Sequence, residues 1–431
     1  MKIIFEPGEN SWQNLLKRPY VDNAAVVQTV AAIMQEVKTK GNAALLAYAE
    51  SLDGAVLTAL QVTEEELDAA QSAVSGDLKK AISQAKKNIE TFHKAQLGER
   101  KIVETMPGIS CWQKSIPVER VGLYIPGGTA PLFSTVLMLA VPAQLAGCRE
   151  VILCTPADKS GNINPAVLYT AKLCGVKKIY KVGGAQAIAA MAFGTETIPA
   201  VYKIFGPGNQ YVTAAKQLAQ QEGIAIDMPA GPSEVCVLAD ETATPAFVAA
   251  DLLSQAEHGK DSQVLLISTS DDVIKKVVKE IDRQVSLLPR SGIALQALQN
   301  SKAIKVKSLE QALVIVNEYA AEHLILACQN ADEIAEKVTA AGSVFIGQYA
   351  PESVGDYASG TNHTLPTNAF ARAYSGVSMD SFFKKVTFQK LTKQGLQNIG
   401  ETVIAMAEAE GLQAHAEAVK CRLATLAEIE E

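Results

Sequence analysis

The 431-residue chain lacks the patterns that mark several common classes of protein. Its seven cysteines are odd in number and scattered, without a CxxC pair, so neither a disulfide framework nor a thiolate zinc site is expected. No basic stripe offsets a formal net charge of −7, which argues against nucleic acid as a partner because phosphate binding needs clustered lysine and arginine. The most apolar segment, 131–147, is short and contains Pro142, so we expect no contact with a membrane. The first residues do not resemble a signal peptide, and a cytoplasmic protein is expected.

The periodicity of apolar residues predicts an α/β fold. The first third is predicted helical over Asn23–Leu52 and Thr63–Lys94, the second beginning at a capping box formed by Thr63 and Glu66. From about Val118 onward, short apolar runs alternate with helical stretches, a pattern typical of parallel sheets covered by helices on both faces. The predicted strands of the first series are 121–125, 150–154, 178–182, 201–205 and 224–227, and those of the second are 234–238 and 263–268. Residues 386–431 are predicted to be a helical tail. The expected fold is therefore two incomplete Rossmann-like, doubly wound domains with small helical segments at both ends.

Histidine is scarce, so its positions are informative. Of the five histidines, His93 lies in a charged helix and is expected at the surface. Gln255 and His258 are three residues apart at the end of a predicted helix, so their side chains share one face at a sheet end. They could coordinate a divalent ion, or His258 could simply complement the helix dipole.

Other candidate groups lie later in the chain. Glu322 directly precedes His323 at the edge of an apolar run, which suits proton transfer but also fits an ordinary polar turn. Asp356 lies in a polar, loop-like segment and is a plausible oxygen ligand. Glu410 and His415 lie in the tail, where a solvated helix end is the simpler interpretation. A site made from glutamine, histidine and aspartate would suit zinc, manganese or cobalt.

Two turns are candidates for a dinucleotide. Gly206-Pro-Gly-Asn209 follows a predicted strand and opens a helix, and Asp227 ends the next strand. This resembles the dinucleotide fingerprint, except that Tyr211 replaces the third glycine. Pro126-Gly-Gly128 is the second such turn. Either one could be only a tight connection between a strand and a helix.

Seven stretches, read together, resemble the histidinol dehydrogenase family, in order and spacing, over nearly the whole chain. They are Gly122-Leu-Tyr-Ile-Pro-Gly-Gly128, Gly183-Gly-Ala-Gln-Ala187, Phe205-Gly-Pro-Gly-Asn209, Ala230-Gly-Pro-Ser-Glu234, Asp251-Leu-Leu-Ser-Gln-Ala-Glu-His-Gly259, Glu322-His323 and Gly355-Asp356. The resemblance extends to Glu410 and His415. It implies an NAD-dependent and zinc-containing enzyme that oxidises L-histidinol, through its aldehyde, to L-histidine in histidine biosynthesis.

The resemblance also implies residue roles. The expected zinc ligands are Gln255, His258, Asp356 and His415. The expected acid/base pair is Glu322 and His323, and the expected NAD contacts are Tyr124, Gln186 and Asn209. The expected substrate contacts are Ser233, Gln255, His258, His323, Asp356, Glu410 and His415. His363 lies near the site in sequence but receives no role.

The family further implies a homodimer in which the C-terminal segment is swapped, so that His415 comes from the partner. The expected divisions are residues 1–20, then 21–121 together with 234–378 as the domain carrying zinc and the acid/base pair, 122–233 as the NAD-binding domain, and 379–431 as the dimerisation segment. Two rival functions are a relative that oxidises another small alcohol and a zinc hydrolase that needs no dinucleotide. A non-catalytic binding protein would leave Glu322-His323 unexplained.

Overall fold

The computed structural model describes residues 1–18, 23–127 and 131–430. Gly128 and the boundary expected at residues 20 and 21 lie outside them. The helices are α1 Glu9–Leu15, α2 Asn23–Lys40, α3 Asn42–Tyr48, α4 Glu64–Ala73, α5 Gly76–Lys94, α6 Phe133–Ala146, α7 Pro165–Leu173, α8 Gly184–Phe193, α9 Gln210–Gln221, α10 Pro245–Ala256, α11 Asp271–Val285, α12 Ser291–Gln299, α13 Leu309–Tyr319, α14 Ala331–Ala335, α15 Glu352–Tyr357, α16 Lys393–Ala409 and α17 Gln413–Glu430. The strands are β1 Lys2–Phe5, β2 Ile102–Met106, β3 Ile109–Pro117, β4 Arg120–Tyr124, β5 Glu150–Thr155, β6 Lys178–Lys181, β7 Lys203–Phe205, β8 Ala225–Ile226, β9 Glu234–Ala239, β10 Gln263–Ser268, β11 Lys302–Lys305, β12 His323–Ala327, β13 Ser343–Ile346 and β14 Phe383–Leu391.

These elements form two compact units. The first contains Met1–Gln96 and Val118–Phe382, and the second contains Leu97–Pro117 and Phe383–Glu431. No helix in the described ranges is both long enough and apolar enough to span a bilayer.

The first unit contains a five-stranded parallel sheet in the order β6-β5-β4-β7-β8. The chain winds outward from β4 in one direction and then returns to its other side, which is the Rossmann-like arrangement expected from the sequence. Its strands are apolar on both faces because helices cover both sides. Leu123, Leu153 and Phe205, from the three central strands, are fully buried.

A second sheet of six parallel strands has the order β1-β11-β10-β9-β12-β13. Five of these strands repeat the doubly wound order around β9, and the N-terminal strand β1 extends the β11 edge. The expected fold of two Rossmann-like sheets is therefore confirmed. Its strands β9 and β10 begin at Glu234 and Gln263, as predicted.

The N-terminal helices pack against helices of the first sheet. Helix α2 buries Val26, Val30 and Met34 at intervals of four residues in the same core as α8 and α9. The predicted single helix over 23–52 is divided at Gly41, which has a φ of +54°, so α2 and α3 are separate. This packing differs from the expected grouping, in which residues 21–121 accompany residues 234–378.

The second unit combines an antiparallel sheet, in the order β14-β3-β2, with the helical pair α16 and α17. The prediction that residues 386–431 are helical throughout was wrong for the first six residues, because they belong to β14. Lys384–Leu391 pairs along β3, and this long-range pairing prevails over the local helical pattern.

Candidate active site

The predicted acid/base pair lies at the amino end of β12, next to the amino end of the neighbouring strand β9. Ser233 and Glu234 enter β9, and Glu322 and His323 enter β12, which is hydrogen-bonded to β9. The end of α10, which carries Gln255, reaches the same edge of the sheet. A site at a sheet end was expected, but ligands of open α/β sheets usually bind at the carboxyl ends. This site lies at the opposite end of the strands, where β9 and β12 begin.

Hydrogen bonds fix the orientation of Glu322. Its Oε2 accepts from the backbone N–H of Glu234 at 2.9 Å and from Nε2 of Gln255 at 3.3 Å. The carboxylate is therefore held between β9 and α10, and it is almost fully buried.

The tautomer of His323 follows from its neighbours. Nδ1 lies 3.2 Å from the carbonyl oxygen of Glu234, which can only accept, and 3.3 Å from Nε2 of Gln255, which can only donate. The shorter contact favours the proton on Nδ1 in the neutral ring. Nε2 is buried and has no aligned hydrogen bond, although Oδ1 of Asp356 lies 3.3 Å away. In the neutral ring with its proton on Nδ1, Nε2 is the basic nitrogen, and it faces the carboxylate of Asp356.

Burial and mutual charge move the pKa values of this pair. Burial raises the pKa of Glu322 to about 7, although the nearby His323 acts in the opposite direction. Burial alone would lower the pKa of His323, but the carboxylates of Glu322, Glu352 and Asp356 raise it to about 10. Shifted pKa values in two adjacent buried groups are typical of sites that carry acid/base chemistry.

A candidate metal site adjoins the pair. One possible ligand atom from each of His258, Glu352 and Asp356 lies within 4.8 Å of the other two. Oε1 of Gln255 is buried and has no hydrogen-bond partner among the described residues, which is costly unless a ligand satisfies it. Nitrogen and oxygen donors of this kind suit zinc or a similar divalent ion, so the residues present fit such a metal.

Arg18 supports the site from the N-terminal segment. Its guanidinium donates to both carboxylate oxygens of Glu234, at 2.8 and 2.9 Å, and to the carbonyl of Tyr319 at 2.7 Å. The same group stacks 4.0 Å from the centre of the Tyr319 ring. Sequence reasoning missed Arg18 and Glu234 as a pair because 216 residues separate them.

The structure gives His363 defined contacts, and it places His93 in the interior rather than at the surface. His363 joins the two halves of the first unit, with Nδ1 at 2.8 Å from the carbonyl of Asp356 and Nε2 at 3.1 Å from Oγ1 of Thr135 in α6. His93, expected at the surface, is fully buried and its Nδ1 lies 2.8 Å from the carbonyl of Ile89. The expectation failed because the charged residues of α5 cover only one face of that helix. Asp356 also lies in helix α15 rather than in a loop.

The predicted dinucleotide residues gather at the carboxyl end of the first sheet. Tyr124 ends β4, and its hydroxyl accepts from the N–H of Gly184 at 3.1 Å. Gln186 is buried in the first turn of α8. Asn209 is exposed and caps α9 through Oδ1, which leaves its amide N–H groups available. The winding direction reverses at β4, which is where such sheets bind nucleotides.

Asp227 does not occupy the position of a ribose-binding carboxylate. Its side chain is fully buried, is paired with Lys216, and accepts from the N–H of Gly206 at 2.8 Å. Lys216 also donates to the carbonyl of Gly206 at 2.9 Å. The interpretation of Asp227 as part of the fingerprint was wrong, because its buried carboxylate pairs with Lys216 and stabilises the turn at Gly206.

Glu410 and His415 belong to the second unit. Glu410 ends α16 and His415 lies in the first turn of α17. Both side chains are exposed.

Fold and site together define an α/β protein with a buried glutamate–histidine pair beside a candidate metal site, and a dinucleotide-type turn on a separate sheet. Residues 16–423 match the model of the histidinol dehydrogenase family. The histidinol dehydrogenase of Bacteroides thetaiotaomicron is 59% identical over 426 residues, which cover 99% of this chain and 100% of that one. That of Bacteroides fragilis is 56% identical, covering 98% and 99%. The crystal structure of histidinol dehydrogenase from Elizabethkingia anophelis has a TM-score of 0.97 at 55% identity, covering 99% of this chain and 98% of that one.

The chain belongs to the histidinol dehydrogenase family and is an oxidoreductase.

Proposed function

We propose that this protein oxidises L-histidinol to L-histidine with two molecules of NAD, and that Glu322 and His323 carry the proton transfers. The observation that carries the proposal is the buried pair, in which Nε2 of His323 has no aligned partner and Glu322 lies beside it. The balance is one alcohol, one water and two NAD⁺ converted to one carboxylic acid, two NADH and two protons. Each NAD accepts one hydride, so two oxidations occur in turn.

His323 serves the first oxidation. Nε2 takes the proton of the substrate hydroxyl while hydride leaves the carbinol carbon, giving the aldehyde. Nearby carboxylates raise the pKa of this ring to about 10, so it acts as a base only once it is deprotonated. In that neutral form the carbonyl of Glu234 favours the proton on Nδ1, and Nε2 is then the nitrogen that accepts.

Glu322 serves the second oxidation. Its carboxylate takes a proton from water as the water adds to the aldehyde, and the resulting diol gives up the second hydride. A pKa near 7 allows this carboxylate both to accept and to release a proton at neutral pH. Burial of the site limits escape of the aldehyde.

Zinc would be held by Gln255, His258 and Asp356 from the first unit and by His415. When bound, it supplies a positive charge that orients the nitrogen atoms of the substrate and offsets nearby carboxylates. Ser233, His323 and Glu410 complete the proposed substrate contacts, together with these four ligands.

NAD would bind residues 122–233, at Tyr124, Gln186 and Asn209. The reversal of winding at β4 and the N-terminus of α9 support this placement, because oriented backbone N–H groups favour a pyrophosphate. Residues 234–378 would then supply the acid/base pair and the first three zinc ligands.

We further propose a cytoplasmic homodimer in which residues 379–431 are swapped between subunits. The second unit leaves apolar side chains exposed on its sheet, including Ile102 and Val103 at 58% and 56% exposure, and on α16, including Met406 at 61%. Apolar surface of this kind is typical of an interface. The exposure of Glu410 and His415 agrees with a role in a partner's site.

The roles of the pair can be separated by assaying each oxidation alone. We expect Glu322→Gln to slow oxidation of the aldehyde by roughly 10²- to 10⁴-fold and to spare alcohol oxidation. His323→Asn should slow alcohol oxidation by a similar factor. Zinc content and NAD affinity of both variants, expected to match the parent protein, serve as controls. Equal loss of both steps in Glu322→Gln would contradict the division of roles.

A further inference from the structure

Glu352 is a buried carboxylate that none of the roles above uses. It is the first residue of α15 and is 1% exposed, and its Oε2 has no hydrogen-bond partner in the part of the chain that the structure describes. A carboxylate in this situation is costly unless a proton, a donor or a cation satisfies it.

The position of Glu352 aims it at the candidate metal site. Glu352 and Asp356 are four residues apart in α15, so both carboxylates lie on one face of the helix. One oxygen of each lies within 4.8 Å of the other and of a ring nitrogen of His258. Donor atoms around one zinc ion lie about 3–4 Å apart, as bond lengths of about 2.0–2.2 Å require. Small side-chain adjustments would therefore bring all three into contact with one ion.

The charge around this site also calls for a cation. Oε2 of Glu322 and Oδ1 of Asp356 lie 3.6 and 3.3 Å from the ring nitrogens of His323, and a carboxylate oxygen of Glu352 lies within 4.8 Å of one of Asp356. Arg18 does not offset them, because its guanidinium is engaged by Glu234 and Tyr319. Buried carboxylates in such proximity are stabilised by a shared divalent ion.

We propose that Glu352 is a direct ligand of the metal ion, in addition to Gln255, His258, Asp356 and His415. The proposal rests on the metal site of the proposed function and adds one ligand to it. The site would then contain two carboxylate ligands from a single helical turn. The ligand set implied by the resemblance contains only one carboxylate, that of Asp356.

The test is the zinc affinity of metal-free protein, measured by competition with a chromophoric chelator in the absence of substrate and NAD. We expect Glu352→Gln, which keeps the volume but removes the charge, to weaken zinc binding at least ~10-fold. Asp356→Asn should weaken it by at least as much. Glu352→Asp keeps the charge but shortens the side chain, and should give an intermediate loss. Thermal unfolding in EDTA establishes that each variant is folded.

Asp251→Asn is the matched control. Asp251 lies in α10, one turn before Gln255, and its charge acts on Glu352 without belonging to the cluster. We expect its zinc affinity to remain within about twofold of the parent, well below the effect of losing a ligand. Parental affinity in both Glu352 variants alongside a loss in Asp356→Asn would overturn the role of Glu352 and leave the proposed function intact. An equal loss in Asp251→Asn would also overturn it, because general charge would then explain the effect. Parental affinity in all variants would refute the metal site itself.

Discussion

Replacing Arg18 by methionine tests how much its ion pair with Glu234 stabilises the folded protein. The pair of Arg18 and Glu234 has side-chain exposures of only 15% and 2%. Among the described residues, removal of the cation leaves this buried carboxylate with the N–H of Asn368, at 3.1 Å, as its donor. Breaking a buried pair by deleting one partner costs about 3–5 kcal/mol. The partial exposure of Arg18 places our expectation at the lower end, about 3 kcal/mol of unfolding free energy.

Urea unfolding followed by circular dichroism measures this loss. The control is Lys80→Met, which removes the exposed ion pair of Lys80 and Asp77, whose exposures are 83% and 98%; its expected cost is below about 1 kcal/mol. In the double variant Arg18→Met with Glu234→Gln, the stranded charge is gone, so part of the loss should be recovered. A cost for Arg18→Met no greater than that for Lys80→Met would refute the reasoning.

Two further changes test other parts of the structure. Burial raises the pKa of Asp251 from 3.8 to about 7, so its neutral form favours folding, and that stability is complete below the unfolded pKa and lost as the pH rises through 7. Asp251→Asn is neutral at every pH, so it should be more stable to urea than the parent protein. We expect this gain in unfolding free energy to be roughly 2–3 kcal/mol larger at about pH 8 than at about pH 5. An equal gain at both pH values would contradict the raised pKa of Asp251. Gly206 has a φ of +131°, and a Cβ there would lie 2.1 Å from the carbonyl oxygen of Tyr124. Gly206→Ala should therefore weaken NAD binding about tenfold in calorimetric titration. Gly223→Ala, where φ is +89° but no atom lies within 4 Å, should leave the affinity unchanged, and equal affinities in both variants would refute the role of the turn.

Local signals were sufficient for much of the fold. The capping box of Thr63 and Glu66 is present at the start of α4, because both of its hydrogen bonds are made within four residues. Strands β5, β9 and β10 begin where their apolar runs begin, since burial on both faces leaves a continuous apolar pattern. By contrast, β14 was missed because its partner β3 lies more than 260 residues earlier in the chain.

The same distinction holds for the site. Helical spacing suggested that Gln255 and His258 share one helix face, but α10 ends at Ala256 and His258 lies beyond it. The resemblance to a family was needed to relate both residues to Asp356. Neither source identified Arg18 or Glu352, because burial, ion pairing and an unpartnered oxygen are properties of the folded chain. Asp227 shows the opposite error: its spacing matched a fingerprint, but its partner Lys216 lies beneath the turn.

The most direct test of the account is the number of NADH molecules formed for each L-histidinol consumed, with purified protein, zinc and NAD. We expect two, since the alcohol passes through the aldehyde to the acid at one buried site, and we expect the reaction to be abolished by His323→Asn and by chelation. One NADH for each L-histidinol, with free aldehyde accumulating, would contradict the assignment of the second oxidation to Glu322.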